Sequence, residues 1–179
     1  MEVKEFNNYL KNADACERAI DWSNGKSLRE AWEQCERGDW LLWLYSNLFP
    51  ENKRQITLAK GLCAKTVYGL MTDKRSRDAV DVAIRFGRNE AEEKELAAAA
   101  ASAADAYPAA AATATAYASY PAAADAAAAY AADAADNAAC AAATAAAYAA
   151  STRIKNRKET ADICREVLTE TIKHLFTPE

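Results

Sequence analysis

The side chains able to do chemistry are few and scattered. Five cysteines, Cys16, Cys35, Cys63, Cys140 and Cys164, lie 19, 28, 77 and 24 residues apart, so no CxxC or CxxH pair supplies a zinc-ligand spacing. A cysteine nucleophile needs a base, and the single histidine, His174, is the only imidazole on offer. Buried small hydrophobes at helical spacing are the plainer reading and are favoured over a cysteine-dependent enzyme. Asp14 with Asp21, or Asp133 with Asp136, can share a helix face. Helix surfaces carry such pairs routinely, and nothing flanks these to shape an acid–base site. Gly25-Lys26-Ser27 resembles the end of a phosphate loop, but Ile20 stands where the upstream glycine belongs and no strand is predicted before it. Arg37-Gly38-Asp39 matches an integrin-recognition tripeptide; a glycine helix stop followed by an aspartate cap explains it fully. The expectation is a chain that is not an enzyme, with no catalytic, cofactor or metal site.

Four tryptophans, Trp22, Trp32, Trp40 and Trp43, fall close together. They read either as an aromatic binding surface or as core, and their helical spacing with Leu28, Leu41 and Leu44 favours core. Alanine is the compositional anomaly. Of the 54 residues from 97 to 150, 18 are not alanine, leaving 36 that are. This inflates the 51% hydrophobic content with a residue that buries little area, and the mean hydropathy is −0.32. Thr113, Thr115 and Thr144 keep no regular period, so an ice-binding face is not expected. Asp and Pro interrupt the tract too often for a membrane span.

The net charge is −4, and residues 97–150 carry Asp105, Asp125, Asp133 and Asp136 with no Lys or Arg. No basic field favours a phosphate backbone, which disfavours nucleic acid as a partner. An odd cysteine count behind a charged, non-apolar N-terminus predicts reduced thiols in a cytoplasmic, soluble protein.

The elements that must position these residues are helices. Five Gly and four Pro in 179 residues are too few for an all-β chain. Cys16, Ala19 and Ile20 mark a helix stopped by Ser23-Asn24-Gly25, and Ser27-Leu28-Arg29-Glu30 is a capping box. Leu28, Trp32 and Ala31 or Cys35 share the next face; Gly38 is expected to end that helix and Asp39 to cap its successor, closed by Phe49-Pro50. Ile56 to Leu70 marks a longer helix starting near Glu51, and Asp73 is expected to cap one carrying Val80, Ala83, Ile84 and Gly87. Prolines 108 and 121 divide the alanine tract into predicted helices over 89–106, 108–119 and 121–149, and a last helix begins near Ser151 behind a basic entrance, Arg153 to Lys158. The whole reads as one all-α domain of about eight or nine helices, Trp-rich over 1–88 and Ala-rich, closely packed, over 89–179.

The run Ala15-Cys16-x-x-Ala19-x-x-Trp22, then Ser27-Leu28-x-Glu30-Ala31-Trp32-x-x-Cys35, then Gly38-Asp39-Trp40-Leu41-Leu42-Trp43-Leu44, resembles the N-terminal signature of a family of bacterial immunity proteins. Such proteins accompany polymorphic toxin systems and have phage-encoded relatives. The resemblance implies a stoichiometric binder that neutralises a toxin by occluding it or holding it inactive. A phage-encoded inhibitor of a bacterial defence system, such as an anti-CRISPR acting in the host cytoplasm, is the alternative on the same scaffold. Acidic side chains against a basic toxin, with tyrosine anchors, point to Tyr117, Tyr120, Asp125, Tyr130, Asp133 and Asp136 as the expected partner surface. Ala–Tyr faces also make a homodimer an expectation.

Overall fold

The computed structural model describes residues 1–71, 73–104 and 150–176. These form eight α-helices and two short 3-10 turns, with no strand among the described residues. The expected helices over 108–119 and 121–149 lie outside them.

Helix α1 (Val3–Asn12) was not singled out by the pattern; it buries Phe6 and Leu10, one turn apart. After Asp14, whose backbone is left-handed at φ 54°, comes α2 (Glu17–Ser23), stopped as expected by Gly25 at φ 80°. Helix α3 (Leu28–Gln34) opens on the expected capping box. The Ser27 hydroxyl accepts the Glu30 N–H at 3.3 Å, and the Glu30 carboxylate accepts the Ser27 N–H at 2.7 Å.

Gly38 does not end α3. That helix closes at Gln34, and Gly38 is the first residue of α4 (Gly38–Leu48), which follows Arg37. The glycine serves packing: a Cβ there would stand 2.5 Å from Thr160 Oγ1 on the final helix. Nor is Asp39 a cap. It lies in the first turn of α4, and its carboxylate takes both Arg37 Nε, at 3.0 Å, and the guanidinium amine.

Helix α5 (Lys53–Lys65) begins two residues later than predicted and stops short of Val67. There the Thr66 hydroxyl donates to the Cys63 carbonyl at 2.7 Å and accepts from Asn156 at 2.8 Å, and a 3-10 turn (Tyr68–Leu70) follows. Asp73 caps α6 (Lys74–Gly87) as predicted, accepting from Arg75 N at 2.8 Å. Asn89, left-handed at φ 63°, delays α7 (Glu93–Ala104) beyond the expected start at 89. Leu96, Ala100 and Ala103 are its buried stripe, and the first two cluster with Ala83 and Phe86 of α6.

Helix α8 (Ala150–Ile172) runs into a second 3-10 turn (Lys173–Leu175) and packs on α4 and α5. Ala161, Cys164, Leu168 and Ile172 are its fully buried face, all inside the main core with Trp32, Leu41 and Tyr45. Polar ties fix its register. Trp32 Nε1 donates to Thr169 Oγ1 at 2.9 Å, and Thr171 shares Gln55 Oε1 with the Tyr45 hydroxyl, at 2.7 and 2.6 Å. Arg165 donates to the Trp32 and Cys35 carbonyls at 3.2 and 2.7 Å, so a cation satisfies the carbonyl end of α3. No helix of the described residues is long and apolar enough to cross a membrane.

Candidate functional site

Helix α4 carries more large apolar side chains than one face can bury. Leu41, Leu42, Leu44 and Tyr45 turn into the core, which leaves Trp40 and Trp43 on the flank that meets α2. Helix α2 is only 7 residues long and brings Trp22 to the same place. The Trp22 and Trp40 rings lie 5.9 Å apart, tilted by 58°. Between them and α1 the structure holds a largely apolar cavity of about 430 Å³, within the range of small-ligand and side-chain pockets. Its floor is Phe6, Leu10, Leu41 and Leu44, all buried, and its rim is polar: Asp14, Cys16, Arg37 and Asp39.

The rim is electrostatically ordered. Arg37 stacks over Trp40 at 4.3 Å from the ring centre while its other edge holds Asp39. The bond to Asp39 raises the guanidinium pKa, against the opposing effect of partial burial. Lys26 lies over Trp22 at 4.6 Å and donates to the Trp22 carbonyl at 2.7 Å. Both cations sit on the π faces of the indoles, an attraction of about 0.5–1 kcal/mol each at exposed sites. Inside, burial pushes the Cys35 thiol up, so it lines the wall as a neutral group. The Ser23 hydroxyl, buried beside it, donates to the Ile20 carbonyl at 3.0 Å.

Trp22, Trp40 and Trp43 are half-buried, whereas Trp32 is 1% exposed. An indole presents roughly 200 Å² of contact area, so each half-covered ring withholds about 2–3 kcal/mol of burial free energy. Such area arranged around a hollow is available to a ligand or partner side chain.

The two readings of the tryptophans therefore divide: Trp32 is core, and the other three frame the cavity. The chain matches no protein-family model, no curated protein and no solved structure.

Tyr117, Tyr120, Asp125, Tyr130, Asp133 and Asp136, the expected partner surface, all lie outside the described residues, as does Cys140. Cys35, Cys63 and Cys164 are buried, and Cys16 is exposed at the cavity rim. His174 is exposed and lies edge-on to Phe49, ring centres 5.6 Å apart. Among the described residues no group of three or more His, Cys, Asp or Glu side chains could hold a metal ion. The cavity itself was not predicted. Its signal was present in Trp40 and Trp43, three residues apart among leucines that already fill the inward face.

Proposed function

We propose that this chain is a non-catalytic binding protein of the immunity or antitoxin type, neutralising a protein partner by stoichiometric binding in the bacterial cytoplasm. The Trp22–Trp40–Trp43 cavity receives an apolar side chain of that partner. The observation that carries the reading is the framing of a preformed hollow by three half-buried indoles, two of them clamped by their own cations. Aromatic anchors in a water-excluding pocket with a polar rim are the usual composition of an interface hot spot. The resemblance of residues 15–44 to immunity proteins supports the same reading, because those residues include Trp22, Trp40 and Trp43, which frame this cavity. The acidic and tyrosine side chains Tyr117, Tyr120, Asp125, Tyr130, Asp133 and Asp136 are proposed as a further part of the interface.

Affinity capture from the native host, with the tagged chain and its Trp40→Ala variant as parallel baits, tests this. The expected result is a toxic effector retained by the wild type, lost from the variant and silenced when the two proteins are co-expressed. A partner held equally by both baits, or one whose activity is untouched by binding, overturns it. A defence effector in place of a toxin would identify the chain as a phage-type inhibitor acting through the same surface.

A further inference from the structure

Away from the aromatic cavity, two nucleophilic groups meet inside the core. Cys63 on α5 and Cys164 on α8 are 3% and 0% exposed, and their sulfurs lie 3.9 Å apart across 101 residues of sequence. The surrounding backbone explains the approach. With no Cβ on Gly38, α8 closes onto α4 at Thr160, and Cys164 follows one turn later with its sulfur 3.7 Å from the Gly38 carbonyl. Cys63 points its sulfur at the Thr160 carbonyl at 3.6 Å. The thiols thus face each other at the junction of three helices, and bonding them needs a closure of roughly 2 Å toward the disulfide length of about 2.05 Å.

We infer that Cys63 and Cys164 form a reversible oxidation site, at which a peroxide converts the pair to a disulfide that fastens α8 to α5. One thiolate attacks the peroxide O–O bond, gaining an S–O bond and releasing hydroxide, to give a sulfenic acid. The second thiolate attacks that sulfur and expels the oxygen as hydroxide. The two thiols lose two electrons and two protons, and hydrogen peroxide becomes two waters. The second sulfur, already in contact, captures the sulfenic acid before further oxidation. Because the pair is buried, the oxidant enters when α8 lifts locally from α5, and a small neutral reagent is the one able to follow. A thiol reductant restores the pair by exchange.

The test treats the full chain with hydrogen peroxide under native conditions, alkylates free thiols, and digests without reduction for mass spectrometry. The exposed Cys16 serves as the internal measure that oxidant was sufficient. The expected result is a Cys63–Cys164 cross-linked peptide lighter by two hydrogens. A rise in Tm of about 10–20 °C that dithiothreitol reverses should accompany it, the scale expected for closing a loop of this length. Cys63→Ala, checked for helical circular dichroism, should lose the rise. Recovery of both cysteines as free thiols after Cys16 has been oxidised overturns the inference. So does a cross-link pairing either with Cys35, or a cross-link without a reversible Tm change. The wild-type peptide map stands whether or not the variant folds.

Discussion

Two tryptophans eight residues apart on neighbouring helices, Trp32 and Trp40, have opposite duties. Trp32 is fully enclosed and its indole N–H is satisfied by Thr169, so truncation leaves a large void and removes that bond. Trp40 is half-buried and rests on Arg37. Trp32→Ala is expected to cost about 3–5 kcal/mol of stability. Trp40→Ala is expected to cost clearly less, while weakening partner binding by about 30-fold or more, the scale of a hot-spot residue. Urea unfolding of both variants, with partner titration of Trp40→Ala, checks this; equal stability losses would remove the distinction. In sequence the two looked alike, because helical spacing among leucines reports that a residue is on an apolar face and not whether a neighbouring helix covers it.

Element boundaries are legible in the sequence where local chemistry sets them. The Ser27–Glu30 box and the Asp73 cap are contacts within three residues, so pattern and structure agree there. The Gly25 stop is equally local. Gly38 looks like a stop in sequence, but its reason is tertiary: it admits Thr160 of a helix more than a hundred residues away. Gly87 is a second such position, where an added Cβ would collide with Leu58 of α5. Gly38→Ala therefore acts on the α4–α8 contact, against the small gain in helix propensity. The expected loss is about 1–3 kcal/mol, seen as a lower urea midpoint. Ser27→Ala should cost about 1 kcal/mol through the cap alone. A Gly38→Ala protein more stable than wild type would show that α8 does not approach α4 as described. The shape of the cavity escaped the sequence for the same reason as Gly38, since α1, α2, α3 and α4 all contribute to it and no single periodicity encodes their meeting.

At the scale of the whole molecule, acid is the expected route to loss of stability. Hydrogen bonds from Arg165 and then Lys158 lower the Asp162 carboxyl, and the Arg75 side chain and backbone lower Asp73. Burial pushes Asp81 upward, but bonds from Lys65 and Tyr68 outweigh it and leave that carboxyl lowered. Glu30 is lowered by the backbone and side chain of Ser27. A carboxyl whose folded pKa lies below its unfolded value binds fewer protons when folded. Its stabilisation is present above the unfolded value, near 4, and is lost as the pH falls through the folded one. Urea midpoints should hold from pH 7 to about pH 5 and fall below it; a midpoint that rises on acidification would contradict the sign. Because these pairs are mostly exposed, each contributes little and added salt should blunt the effect.

The chain as a whole is proposed to act by occupancy, with a partner side chain seated among Trp22, Trp40 and Trp43, and occupancy has a stoichiometry. The most direct measurement is the residual activity of the purified partner against increasing molar ratios of this chain, read at partner concentrations well above Kd. The account predicts a linear fall to an equivalence point at a whole-number ratio, displaced to much higher ratios by Trp40→Ala. Complete inactivation by a small fraction of an equivalent, growing with time, would show turnover and contradict it.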